Sequence, residues 1–171
     1  MHTSTTSTVP LEPWTADLLV QATQGYWFND QAPVGDIKRI LTDSRHAETG
    51  DAFLALKGER FDAHDFVAQV AAKGCQIAIV SHPVDADICQ LVVADMRLAL
   101  GHLGAYRPAQ NTQLKVIALT GSSGITTTKE MLGSILSRLA PTLITRGNLN
   151  NDLGVPMMLL ELRAEHQYAV M

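Results

Sequence analysis

The sequence has 171 residues, a formal net charge of -4 and 46% apolar residues. That length suits one domain or two small ones, and the apolar share builds a packed core and excludes a disordered chain. With 13 Lys and Arg against 17 Asp and Glu, the chain lacks the basic excess of a nucleic-acid-binding domain, so no nucleic-acid partner is expected. The elements follow in chain order. Residues 1–13 are polar and predict no regular structure. Residues 15–25 (TADLLVQATQG) predict a short helix: Thr15 caps it, Leu18, Leu19 and Ala22 share a face, and Gly25 stops it. Ile37, Ile40 and Leu41 lead into the polar group Thr42-Asp43-Ser44-Arg45, and a turn at Thr49-Gly50 opens an apolar strand over residues 52–56. Phe66, Val67, Val70 and Ala71 have helical spacing, with Gly74 as the stop. Strands follow over residues 75–81 and 90–95, then a helix over 96–106. Residues 107–113 (RPAQNTQ) are polar, contain a proline and read as a joint. Beyond them a strand (116–119), a glycine turn (121–124), a helix (126–139), a strand (143–145), the loop GNLNNDLGVP, a helix (157–163) and a strand beginning at Tyr168 are expected. Alternating strands and helices make this an α/β chain.

Several classes of function are disfavoured. No apolar run approaches the ~20 residues that span a bilayer, and the N-terminus has no basic head followed by an apolar core. No membrane partner and a cytoplasmic location are therefore expected. Cys75 and Cys89 lie among apolar neighbours with no C-x-x-C spacing, so both read as buried, reduced thiols. Asp62 and His64 read as a polar cap before the helix at Phe66, and no second His or Cys stands at metal-ligand spacing from His64.

The stretch LKVIALTGSSGITTTKEM carries the most chemistry. An apolar strand, a glycine turn and a helix place backbone N–H groups and a helix N-terminus around one point, which suits a phosphate. The candidate nucleotide-binding residues are Gly121, Ser122, Ser123, Gly124, Ile125, Thr126 and Thr127. A phosphate loop carries lysine after its last glycine and a hydroxyl after that, the first for the β/γ phosphates and the second for Mg²⁺. Here Ile125 stands in the lysine position and Thr126 in the hydroxyl position. A glycine-rich turn without a ligand has the same local signature. Lys129, about one helical turn or ~6 Å beyond Ile125, is expected to be a solvated helix-face lysine.

These residues resemble the Mur ligases. TGSSGITTTKEM resembles their ATP loop, whose short glycine spacing it shares. TDSR (Thr42 to Arg45) resembles the N-terminal substrate motif, and GDAFLALKGERFDAHDF resembles a further family pattern, with Ala63 in place of the usual glycine. GNLNNDLGVP resembles the Asn-rich loop of the central domain. The resemblance implies a small N-terminal α/β domain for the UDP-sugar in residues 1–95 and the start of a P-loop parallel-sheet ATPase domain in 96–171. It implies ATP and Mg²⁺ as cofactors, with Thr126 on the metal. The "SSG", "TKEM" and "NLNN" runs are most similar to family members whose partners are UDP-N-acetylmuramoyl-tripeptide and D-alanyl-D-alanine. There ATP phosphorylates the substrate carboxylate, and the amine attacks the acyl phosphate. Ser44 and Arg45 match the region near the UDP moiety, and Asn148 and Asn151 the loop facing nucleotide and substrate.

Two departures bear on activity. Ile125 replaces the loop lysine, and the sequence stops at YAVM, ahead of the family's acidic Mg²⁺ motif and amine-acceptor domain. The 171-residue chain is therefore expected to be an inactive portion of such a ligase. A non-catalytic UDP-sugar or nucleotide binding module is the alternative. A partner-dependent fragment, self-associating through strand edges at residues 116–119 and 168–171, is a third reading.

Overall fold

The computed structural model describes residues 12–147, 149 and 152–171. Two sheets organise it. The first has the order β1-β5-β4-β3-β2, formed by β1 (Tyr26–Trp27), β2 (Ile40–Leu41), β3 (Ala52–Leu54), β4 (Ile77–Val80) and β5 (Cys89–Val92). All neighbours in it are parallel except β1, which runs antiparallel to β5. The second sheet is parallel, with order β6-β8-β7, from β6 (Lys115–Ile117), β7 (Thr142–Ile144) and β8 (Tyr168–Val170). The α/β expectation is met.

Apolar runs at β3 and β4 place one residue in two on each face, and both faces are buried, as a parallel sheet with helical cover requires. Leu54, Ile77 and Ile79 face α1 (Ala16–Thr23) and α3 (Met96–Gln110), together with Trp14, Leu19 and Leu100. Phe53, Ala78 and Val80 face α2 (Val67–Ala72) through Val67 and Val70. Thr15 accepts from the Leu18 amide and Asp95 from the Leu98 amide, so both long helices on the first face start at capping side chains. Both cysteines are free; Cys75 is buried as expected and burial pushes it up to about 11, whereas Cys89 is only half-buried at the start of β5.

Three expectations are corrected. Residues 107–110 are not a joint but the last turn of α3, where Pro108 gives up one amide bond near a helix end and breaks little. The helix expected over 157–163 begins earlier, as α5 (Gly154–Leu159), because Pro156 sits in its first turn, where a missing amide costs nothing. Residues 168–171 are no strand edge. β8 is the central strand of its sheet, with Ala169 and Val170 fully buried, and the edges are β6 and β7. Val116 on β6 is exposed. No described helix is long and apolar enough to cross a membrane.

The two sheets are joined through α3, which packs against α1 on one side and α5 on the other. The second contact is close. A Cβ on Gly104 would lie 2.7 Å from Pro156 Cα and 2.9 Å from Pro156 O. Leu160, just past α5, is buried in the first sheet's core. Gly104→Ala is therefore expected to destabilise the chain by about 1–3 kcal/mol through overpacking. Gly101→Ala, in the same helix with nothing within 4 Å of its Cβ position, is expected to be neutral or stabilising by about 0.5–1 kcal/mol. Urea denaturation of both variants checks this pair.

Candidate functional site

The polar turn after β2 is held from three directions. Asp43 accepts from the Arg45 amide at 3.0 Å and caps the 3₁₀ turn Ser44–His46. Lys73, at the end of α2, donates to the Ser44 carbonyl at 2.9 Å. Arg39 donates to the His46 carbonyl at 2.7 Å and grips Asp51 through two further bonds of 3.0 Å. Asp51 is fully buried, and this two-pronged pair with the Glu48 amide satisfies its oxygens. The turn is thus a rigid rim built on β2 and β3.

This rim faces α5 and the end of β7 across a cleft of about 830 Å³. Thr42 and Asp43 line it, but Ser44 and Arg45 are absent from its walls. Arg45 is exposed and folds back on Asp43, with bonds of 3.0 and 2.7 Å. The cations on the walls are Lys38, Arg39, Arg107, Arg146 and Arg163, against the carboxylates of Asp43 and Glu161. A chain of net charge -4 therefore gathers positive charge at one place, which attracts an anionic ligand. Arg107 is buried, stacks 4.1 Å above the Trp14 ring and donates to the Glu12 carbonyl at 2.7 Å. Burial pulls it down to about 10, still charged at neutral pH. Its Nε has no hydrogen-bond partner among the described residues. Of these five cations the sequence pattern singled out none. Arg107 falls in the stretch that reads as a joint, and Lys38–Arg39, Arg146 and Arg163 come from segments far apart in sequence.

The glycine loop lies at the C-terminal end of the second sheet, where open parallel sheets bind ligands. Gly121, Ser122, Ser123, Thr126 and Thr127 are exposed, and α4 (Ile125–Ser137) starts directly after Gly124 in the left-handed conformation at φ 73°. The amides of residues 121–127 donate to no acceptor among the described residues, so they form a row of free donors at a helix N-terminus. That backbone fits a phosphate. The side chain at 125 does not: Ile125 is half-buried, and its Cγ1 would lie 3.5 Å from a Cβ on Gly121. It folds over the start of the loop and supplies no charge. Thr126 offers one exposed hydroxyl on the first turn of α4, fitting a Mg²⁺ whose remaining ligands are phosphate and water.

Other candidates resolve differently. Lys129 is no solvated lysine: it is 4% exposed, and its ammonium donates to the Gly147 carbonyl at 3.2 Å. Asn148 and Asn151 lie outside the described residues. Asp62 and His64 form the expected cap. Asp62 accepts from the His64 amide at 3.0 Å and sits 2.6 Å from its Nδ1. His64 Nε2 accepts from the Ser81 amide at 3.0 Å. That amide occupies the lone pair a general base would need, so this Asp–His–Ser group is a clamp between the 3₁₀ turn Ala63–Phe66 and the residue just past β4. Among the described residues no three His, Cys, Asp or Glu side chains are grouped to hold a metal.

Comparison with known proteins bears on both halves. Residues 36–138 match the profile "Mur ligase family, catalytic domain", and residues 119–171 match "Mur ligase middle domain". The UDP-N-acetylmuramoyl-tripeptide–D-alanyl-D-alanine ligase of Escherichia coli (strain K12) is 54% identical over 131 residues, covering 77% of this chain and 29% of that protein. A crystal structure of MurF from Acinetobacter baumannii is 84% identical, with a TM-score of 0.87, covering 95% of this chain and 36% of that one. The MurF ligase of Thermotoga maritima in complex with ADP is 32% identical, with a TM-score of 0.67, over 77% of this chain and 31% of that one. The chain thus spans about a third or less of the length of these relatives.

The rim turn makes a testable electrostatic statement. The side-chain bond from Arg45, reinforced by its amide and charge, holds the Asp43 carboxyl at about 2, although partial burial opposes this. The folded value lies below the unfolded one of about 3.9. The pair's contribution is thus present above pH ~4 and is lost as pH falls through about 2. Carbon-detected NMR titration is expected to place the Asp43 midpoint near 2 and to move it toward ~4 in Arg45→Ala. A midpoint near ~4 in the unaltered chain would show that Arg45 does not hold Asp43.

Proposed function

The chain belongs to the Mur ligase family, and on that premise we propose that it supplies the UDP-sugar cleft and the nucleotide loop of a D-alanyl-D-alanine-adding ligase. The reaction is ATP-dependent amide-bond formation in cytoplasmic peptidoglycan precursor synthesis. UDP-N-acetylmuramoyl-tripeptide provides the carboxylate and D-alanyl-D-alanine the amine. The observation that carries this reading is the pairing of a cationic cleft with a row of free loop amides, the two linked by the bond from Lys129 on α4 to Gly147 just past β7. The relatives named UDP-N-acetylmuramoyl-tripeptide–D-alanyl-D-alanine ligase and MurF support the choice of substrates.

In this reading the UDP-sugar sits between residues 1–95 and the cleft-facing side of residues 96–171, and the glycine loop of residues 96–171 takes the nucleotide. Cations on the cleft walls balance the diphosphate. Thr42 and Asp43 form its rim, with Ser44 and Arg45 on the outer side of the same turn. Asn148 and Asn151 are assigned to the substrate side by their place in the motif. The amides of residues 121–127 cradle phosphate, and the Thr126 hydroxyl is a Mg²⁺ ligand. Bound ATP and Mg²⁺ supply activation of the carboxylate as an acyl phosphate. The exposed β6 edge is the surface available for self-association.

Ile125 sets a limit on this chemistry. Phosphoryl transfer rests on positioning and electrostatic stabilisation, and the loss of one preorganised stabiliser costs about 10²–10³ in rate. The loop as it stands is therefore deficient in catalysis, and binding of the UDP-sugar peptide is the function its residues retain. The second reading, a non-catalytic UDP-sugar module, draws on this contrast between a cleft lined by cations and a loop without its side-chain charge.

Ile125→Lys is expected to raise affinity for ATP with Mg²⁺ by about tenfold or more, the worth of one hydrogen bond to a charged group. Isothermal titration calorimetry of the two chains measures it. Equal heats and affinities would remove the nucleotide role from residues 121–127.

A further inference from the structure

Lys129 is the charged group that the proposed roles leave over. It lies on α4 four residues beyond Ile125 and faces inward, 4% exposed. One turn further on, α4 touches β7 so closely that a Cβ on Gly133 would lie 2.4 Å from Ile144 Cδ1. With the helix pressed on the strand, the Lys129 stem runs to the strand's end, and its ammonium donates to the Gly147 carbonyl. Gly147 has φ +53° and turns the chain out of β7. On either side of it stand Arg146 and Leu149, both on the wall of the cleft. Arg146 also bonds Glu161, just past α5 on the same side of the cleft, at 2.5 Å.

Energetics argues against a packing role alone. Burying an ammonium is costly unless it is paired and fully hydrogen-bonded, and a peptide carbonyl is a neutral acceptor. A methionine of the same length would fill the space between α4 and β7 at lower cost. What the ammonium adds is direction: it fixes where the chain leaves β7, and so where Arg146 and Leu149 stand.

We propose that Lys129 is a positioning residue, tying the helix of the nucleotide loop to Gly147 and thereby setting where Arg146 and Leu149 stand on the wall of the UDP-sugar cleft. The inference rests on the reading of that cleft given above. It makes the two halves of the site one mechanical unit, in which the nucleotide helix and the substrate wall keep a fixed distance.

Two readouts on the full 171-residue chain test it: amide hydrogen exchange and calorimetry with UDP-N-acetylmuramoyl-tripeptide. Lys129→Met is expected to speed exchange at Gly147 and Leu149 by about tenfold or more, with β3 and β4 unchanged. It is also expected to weaken the UDP-sugar peptide by at least about fivefold. Lys129→Arg, which keeps charge and donor, is expected to retain most of that affinity. If Lys129→Met does not fold, Lys129→Gln takes its place with the same expectations. Unchanged exchange would overturn the tie. Faster exchange with unchanged affinity would overturn the positioning role, since a purely structural contact gives that result. Absence of binding by the unaltered chain would overturn the reading of the cleft itself, and this inference with it.

Discussion

Where α3 crosses α5, Gly104 and Pro156 approach so closely that no side chain fits between them. This contact decides the distance between two sheets that share no strand. It brings Leu160 into the first sheet's core and sets α5 opposite the turn after β2. The cleft is the space left over by that docking. Its walls come from both units, so neither unit alone presents it.

The charges in the cleft depend on the same arrangement. Arg39 is committed to Asp51 and the His46 carbonyl, so it shapes the rim more than it offers itself to a ligand. Arg107 is held by Trp14 and the Glu12 carbonyl and is kept charged in a buried position. Arg146 is tied to Glu161 on its own side of the cleft. Fixed cations of this kind attract an anion without having to be ordered when it arrives, which lowers the entropic cost of binding. The glycine loop has the opposite balance: its backbone donors are in place while the side chain at 125 carries no charge.

Local features were readable in the sequence because local chemistry produces them. The caps at Thr15 and Asp62, the glycine stop at Gly74 and the strand–glycine–helix passage at residues 116–126 all follow from residues a few positions apart. The failures have a common cause in tertiary context. Arg107 meets Glu12 from 95 residues away, so a polar segment with a proline gave no sign of being a buried helix end. Lys129 was assigned to solvent by its residue type, yet the face it occupies is decided by α4 pressing on β7 through Gly133. The central place of β8 depends on a strand order that no local pattern encodes. The TDSR motif marks a turn whose Thr42 and Asp43 line the cleft while Arg45 turns back on Asp43, a difference set by side-chain direction that the motif alone does not encode.

The central claim is that the cleft between the β2 turn and α5 receives the UDP-sugar peptide. Residue-resolved NMR of this chain titrated with UDP-N-acetylmuramoyl-tripeptide tests it most directly. The account predicts saturable shifts at Lys38, Thr42, Asp43, Arg146, Leu149 and Arg163, with β6 and its edge unaffected. Shifts confined to the smaller cleft beside Phe28 and Gln90, or none in residues 38–43, would contradict it.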